Sequence, residues 1–172
     1  PRGGAVYVVC PSRPALAGEI AAGLSKKVKN SALVCAAGDS TAAIALGMMP
    51  EELILRDWRI PGSDAPVTFN GVTCWPVDPA KFLDYKEVPV NKLVSQVSRK
   101  FNMTLVDCGN NLSLCINLPR DGLVIAVRSR RDLSEQVLDH WMRQTNCKVL
   151  DIVDTERLTV IEVDKGFVLQ TG

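Results

Sequence analysis

The chain has 172 residues, of which 47% are hydrophobic and 23% charged, and its formal net charge is +1. This composition is typical of a globular domain with a full α/β core and excludes a disordered chain. The near-zero charge does not indicate nucleic-acid binding, and no apolar run approaches the roughly 20 residues that a membrane span needs. We predict one domain over residues 1–172, in which residues 1–4 are a linker or an artificial end.

Apolar, strand-like runs alternate with helical patterns along most of the chain. The predicted strands are residues 5–10, 31–36, 67–69, 72–75, 103–107, 122–127, 148–153, 158–163 and 167–170. The predicted helices are residues 16–24, 41–48, 91–101 with Asn91 as cap, and 132–144 with a capping box at Asp132. Continuous apolar strands between helices predict a three-layer α/β fold, with a mainly parallel sheet and helices on both faces.

Two turn signals interrupt this alternation. Asn70-Gly71 separates two short strand patterns, and this dipeptide is a strong signal for a two-residue hairpin turn. Asp164-Lys165-Gly166 lies between the last two strand patterns and predicts a hairpin that closes the chain at its C-terminus.

The first strand, loop and helix stand where an α/β protein would hold a phosphate. Glycines in such a loop let backbone N–H groups surround the anion, and a lysine neutralises it. The loop Cys10–Pro14 contains neither glycine nor lysine. The position of a phosphate site is therefore present, and its chemistry is missing.

Four stretches, in this order, resemble the MinD/ParA group of P-loop ATPases, which position division sites, plasmids, chromosomes and pili in bacteria. They are the first helix (20–27), the second strand with its acidic turn and short helix (33–47), the strand ending at Asp107 (101–109) and the next strand (121–127). The resemblance spans residues 4–154 and implies a P-loop NTPase-like fold in which the strands Val6–Cys10 and Thr104–Asp107 are neighbours. It also implies a crevice for ATP and Mg²⁺ and a face-to-face dimer.

The residues of the phosphate site depart from that family. The family's loop reads K-G-G-x-G-K-[ST], and here the loop is shorter, with Arg13 nearest the second lysine and Pro14 where the Mg²⁺-binding hydroxyl belongs. Cys35 and Ala37 stand where the family has Asp-x-Asp, and Asp39 is out of register. The residues that remain of the nucleotide pocket are Ser12, Arg13, Asp39, Asp107 and Gly109.

Only Asp107 matches the family cleanly, and one carboxylate cannot organise Mg²⁺ and a triphosphate. We therefore expect no catalytic residue, no resident cofactor and no metal site. The expected function is a non-hydrolysing MinD/ParA-like module for binding, dimerisation or localisation in a bacterial partitioning or positioning process, with pilus-localisation proteins of the TadZ/CpaE kind as the nearest analogy. The alternative is an ATPase with an atypical loop, in which Arg13 and backbone N–H groups hold ATP together with Mg²⁺.

A module of this kind needs a contact surface. We expect the crevice bounded by Pro11–Pro14, Ala36–Ser40 and Cys108–Asn111 to be filled by side chains or by a partner segment, from another protein or a second copy of the chain. The basic turn after the strand at 122–127 is a second candidate for a partner or an anion. Its residues are Arg128, Arg130 and Arg131, and the plainer interpretation is a solvated turn between strand and helix.

The six cysteines form no Cys-x-x-Cys pair, and in a chain of this length they indicate a reduced, cytoplasmic compartment. Cys10, Cys35 and Cys108 each end an apolar run, which in a parallel sheet is the ligand edge. We predict that they are small buried core residues; a thiol cluster for a metal is the alternative.

Overall fold

The computed structural model describes residues 4–80, 90–115, 118, 122–128, 135–144, 148–153, 158–163 and 166–171. The strands are β1 (Ala5–Val9), β2 (Ser31–Cys35), β3 (Val67–Phe69), β4 (Val72–Trp75), β5 (Met103–Asp107), β6 (Leu123–Arg128), β7 (Lys148–Val153), β8 (Leu158–Val163) and β9 (Gly166–Thr171). The helices are α1 (Pro14–Lys27), α2 (Thr41–Leu46), α3 (Val90–Val97) and α4 (Glu135–Gln144), with 3₁₀ turns at Pro50–Leu53 and Leu112–Cys115.

Seven of these strands form one sheet in the order β3-β4-β2-β5-β1-β6-β7. All neighbours pair in parallel except β3, which is antiparallel to β4. Strand β1 pairs with β5, with Val8 opposite Asp107, which confirms the predicted neighbourhood of these two strands. Strand β5 lies between β1 and β2. Because these three strands are parallel, their carboxyl ends meet at one edge of the sheet.

Two apolar cores cover the two faces of the sheet, which confirms the three-layer α/β prediction. Helices α1 and α2 pack on one face, where Ile20, Leu24 and Leu46 are buried. Helices α3 and α4 pack on the other, through Val94 and Trp141. Because both faces are covered, the central strands are apolar throughout and do not alternate with polar residues.

The hairpin between β3 and β4 turns at Asn70-Gly71, as predicted. Both residues have positive φ angles, 50° for Asn70 and 78° for Gly71, which is the conformation that a two-residue hairpin turn requires. Strands β8 and β9 pair antiparallel in a separate two-stranded sheet. The turn residues Asp164 and Lys165 lie outside the described residues, so the closing hairpin stays a prediction.

The third helix is shorter than predicted, and Asn91 is not its cap. Asn91 lies inside α3, which ends at Val97 and not at residue 101. The chain then turns so that Asn102 donates from its backbone N to O of Asn30 (2.9 Å) and from Nδ2 to O of Lys29 (2.8 Å). These bonds set the start of β5 beside β2, which is why the helical pattern stops early. The capping box predicted at Asp132 lies outside the described residues.

Helix α1 begins at Pro14, two positions before the predicted start, because proline fits the first turn, where its missing N–H is not needed. Among the described residues, no helix combines the length and apolar character needed to cross a bilayer.

Candidate functional site

Three loops meet at the carboxyl edge of the sheet, where an open α/β fold holds its ligands. Backbone hydrogen bonds join them: N of Cys10 donates to O of Gly109 (2.8 Å), and N of Ala36 donates to O of Asp107 (3.0 Å). The loops after β1, β2 and β5 are therefore fixed to one another and form the candidate site.

The loop after β1 is short and rejoins a helix at once. Arg13 is the N-cap of α1 and is exposed, and no side chain caps the helix at this position. N of Leu16 donates to O of Arg13 (2.9 Å), and Pro14 has no N–H to offer. Ser12 lies with its Oγ 3.8 Å from Sγ of Cys10. This loop presents fewer backbone donors to an anion than a glycine-rich phosphate loop does.

The carboxylate of Asp107 is buried beneath these loops. Its Oδ1 accepts a hydrogen bond from N of Gly109 (3.0 Å), and its Oδ2 is one of three buried polar side-chain atoms without a hydrogen-bond partner among the described residues. Burial raises the pKa of Asp107 from 3.8 to about 7, the negative charge of Asp39 adds to this, and the bond from Gly109 opposes it. Near neutral pH this carboxyl is therefore partly protonated.

Helix α1 passes directly over this carboxyl. A Cβ placed on Gly18 would lie 3.0 Å from Oδ2 of Asp107, and equally close to N of Ala42 and Cγ2 of Thr41 at the start of α2. Asp39 is exposed, and its Oδ1 accepts from N of Thr41 (3.0 Å). The glycine thus lets α1, α2 and the acid approach one another.

The predicted crevice is narrowed by the protein's own chain. A Cβ placed on Gly109 would lie 2.8 Å from Cβ of Ala37 and 3.6 Å from Cβ of Pro14, and Gly109 is buried. The loops after β2 and β5 and the first residue of α1 therefore pack against one another within the crevice bounded by Pro11–Pro14, Ala36–Ser40 and Cys108–Asn111.

The structure brings the five predicted pocket residues to this edge, at the ends of β1, β2 and β5. Arg128 also lies at a strand end, that of β6, where its guanidinium pairs with Asp139 of α4 and lies 3.4 Å from Sδ of Met142. Arg130 and Arg131 lie outside the described residues. The assignment of these arginines to a partner or an anion stays a prediction.

Sequence reasoning missed an ordered segment beside the site. The sequence patterns predict no helix or strand between residues 49 and 66, yet Nε1 of Trp58 donates to O of Cys35 (2.8 Å) and N of Trp58 donates to O of Pro76 (3.0 Å). Asp57 is fully buried and accepts two side-chain bonds from Arg59, of 2.9 and 2.8 Å. The run Asp57-Trp58-Arg59 is the local signal that could have indicated this order.

Cys10, Cys35 and Cys108 are buried, as predicted, and so are Cys74 and Cys115; none of these five forms a disulfide. Hydrogen bonding to Cys74 and burial raise the pKa of Cys35, and hydrogen bonding to Cys115 and burial do the same for Cys108. Within the described ranges, no group of three or more His, Cys, Asp or Glu side chains could hold a metal ion.

The fold is similar to that of a solved enzyme. No protein-family model matches the chain, and no curated protein does. The crystal structure of cobyrinic acid a,c-diamide synthase from Mycobacterium smegmatis matches it with a TM-score of 0.60, at 18% identity, over 90% of this chain and 76% of that one. The chain has a three-layer P-loop NTPase-like fold. At this identity the likeness carries the fold and no activity.

Proposed function

We propose that this chain is a non-hydrolysing ParA/MinD-like domain that acts as a binding, dimerisation or localisation module in a bacterial partitioning or positioning process, on the analogy of TadZ/CpaE-type proteins. The packing of Gly109 against Ala37 and Pro14 is the observation that carries the proposal. This close packing leaves little room between the three loops for a triphosphate.

The chemistry of the acidic residues supports the same proposal. Mg²⁺ is held by ionised oxygen ligands together with substrate phosphates. Asp107 is buried, has a pKa of about 7 and lies against Gly18, so a cation would have to separate α1 from the sheet to reach it. The carboxylate of Asp39 already accepts a bond from the backbone of α2. Neither acid is poised to bind a metal.

One observation favours the alternative, a nucleotide-binding ATPase with an atypical loop. Helix α1 is 14 residues long, and its N-cap Arg13 is exposed and has no side-chain cap. The N-terminus of such a helix attracts an anion through its dipole and its N–H groups. ATP with Mg²⁺ would then bind over Arg13 without entering the narrowed crevice.

Calorimetric titration with ATP and ADP, each with and without Mg²⁺, separates the two functions. The non-hydrolysing module predicts no saturable heat at millimolar nucleotide and no phosphate release. Micromolar affinity that is lost in Arg13→Ala would establish the alternative. Glu19→Ala, at an exposed residue six positions further along α1, is the matched control.

Self-association is tested separately by sedimentation equilibrium. A dimer across the candidate site should have a mass that does not change with MgATP and should dissociate in Arg13→Glu. Gly38 is a poorer position for such a test because its φ of 85° would strain any larger residue. A dimer that forms only with MgATP would contradict the proposal.

A further inference from the structure

A cavity lies outside the candidate site, on the exposed side of residues 49–64. We call this exposed side the 49–64 face. Its volume is about 520 Å³, and none of its lining residues belongs to the loops after β1, β2 and β5. This volume is within the usual range for binding pockets and accommodates a few side chains. The pocket is therefore large enough for a short peptide segment.

The 49–64 face exposes apolar side chains that a globular protein normally buries. The exposed fractions are 58% for Met49, 55% for Ile54 and 63% for Leu55, and the last two line the cavity. Leu55 also has a φ of 67°, a left-handed conformation that is strained for a residue other than glycine. A leucine that is both strained and exposed at the rim of a cavity indicates a contact made with another molecule.

This face is held rigidly by the fold. N of Leu55 donates to Oδ2 of Asp78 (3.1 Å), and N of Asp64 donates to O of Leu55 (3.3 Å). The indole of Trp58 ties the segment to β2, and the bidentate bond between Arg59 and Asp57 braces it from inside. A preformed surface pays little ordering entropy on binding, so its contacts are available for affinity.

The charged residues that line the cavity indicate which kind of segment would bind there. Three carboxylates line it, from Glu51, Glu52 and Asp64, against the single guanidinium of Arg56. A negative rim around apolar side chains complements a segment that is apolar and basic. We propose that the 49–64 face docks a short segment of a protein partner that carries an apolar side chain next to lysine or arginine. The proposal goes beyond the proposed function and does not depend on whether the chain binds nucleotide.

The test begins with a library of random decapeptides displayed on phage and selected on the whole chain. Counter-selection uses the double variant Ile54→Thr/Leu55→Asn, which removes the apolar rim. Asparagine adopts the left-handed conformation more readily than leucine, so this variant should fold at least as well. The expected result is enrichment of peptides with Leu, Ile, Met or Phe beside Lys or Arg.

The enriched peptide is then labelled, and its affinity is measured by fluorescence anisotropy. We expect at least tenfold weaker binding to Ile54→Thr/Leu55→Asn and to Glu51→Lys/Asp64→Lys, and weaker binding at higher salt because the carboxylates are exposed. The matched controls are Val137→Thr, an apolar residue 59% exposed on α4, and Glu19→Lys on α1. Both controls should bind as the unchanged chain does.

Three results would overturn the inference: no enrichment over the double variant, enrichment of acidic or uncharged peptides, or equal affinity in the rim variants. Sedimentation equilibrium gives a fourth, because a dimer that dissociates in the double variant would make the occupant a second copy of this chain. These results are independent of nucleotide. ATP binding in the calorimetry would refute the proposed function and leave this inference standing.

Discussion

Gly18 of α1 lies against the carboxyl of Asp107 at the end of β5, with only 3.0 Å between Oδ2 and the position that a Cβ of Gly18 would occupy. The absence of a side chain at residue 18 lets the helix close over a buried acid, and Oδ2 of this acid has no hydrogen-bond partner in the part of the chain that the structure describes. One glycine thus lets α1 pack closely over the buried end of β5.

Gly18→Ala should destabilise the protein. Its methyl group would meet backbone N of Ala42 as well as the acid, each at 3.0 Å, and overpacking of this kind costs about 1–3 kcal/mol. Gly23→Ala on the same helix is the matched control, because no described residue lies within 4 Å of its Cβ position. That change should stabilise by about 0.5–1 kcal/mol through helix propensity. Urea denaturation of both variants measures the difference, and equal effects would contradict the packing described.

Asp107→Asn should change how stability depends on pH. The folded pKa of Asp107 is raised from 3.8 to about 7, so the folded protein binds the proton more tightly than the unfolded chain. The stability that the protonated carboxyl adds to the folded protein is fully present below pH 3.8 and is lost as pH rises toward about 7. Asparagine keeps the oxygen that accepts from Gly109 and cannot ionise. The variant should therefore be more stable than the unchanged chain above pH 7, on the order of 1–4 kcal/mol.

Thermal denaturation of both proteins between pH 5 and pH 8.5 measures this effect. The two melting curves should converge toward low pH and separate toward high pH. Asp39→Asn is the control, because that carboxylate is exposed and raises the pKa of Asp107 only through its charge. A constant difference between Asp107→Asn and the unchanged chain would mean that Asp107 does not titrate in this range.

Asp57→Ala should strongly lower the stability of the protein, because Asp57 lies beneath the 49–64 face. The carboxylate of Asp57 is fully buried and pairs with Arg59, whose side chain is 9% exposed, and removing one partner of a buried pair costs about 3–5 kcal/mol. Asp64→Asn, at an exposed acid of the same segment, should change stability by less than about 0.5 kcal/mol. Guanidinium unfolding compares the two.

The pair also has a pH signature. Burial would raise the pKa of Asp57, but hydrogen bonds and charge from Arg59 more than offset it, so the pKa is lowered from 3.8. The stability that this pair contributes is present above pH 3.8 and is lost as pH falls below it. Asp57→Asn should remove this acid-dependent loss, and an unchanged acid limb would contradict the pairing.

The buried thiols should be unreactive in the folded protein. Cys10, Cys35, Cys74, Cys108 and Cys115 are all buried, and the raised pKa values of Cys35 and Cys108 keep them protonated. Ellman's reagent at pH 8 should label these five only as fast as the chain unfolds, and all six cysteines at once in concentrated guanidinium chloride. Cys10→Ala serves as the control for assignment. Rapid labelling of more than one thiol in the native protein would refute this burial.

Much of the fold could be predicted because its signals are local. Continuous apolar runs such as Leu123–Arg128 mark strands that are covered on both faces, and Asn70-Gly71 carries the conformation of its turn in its own residue types. The end of α3 could not be predicted, because the helical pattern continues beyond Val97. The chain turns where Asn102 donates a hydrogen bond to O of Lys29, which is distant in sequence.

For the candidate site, the residue types alone indicate which chemical groups are available. A loop with no glycine or lysine, and one acid after an apolar strand, are readable from residues 10–14 and from Asp107. The burial and contacts of these groups became evident only from the folded structure. The raised pKa of Asp107, the contact of Gly109 with Ala37 and the ordered 49–64 face all arise where segments far apart in sequence meet. Burial and packing depend on contacts between segments that are distant in sequence, so no local sequence pattern predicts them.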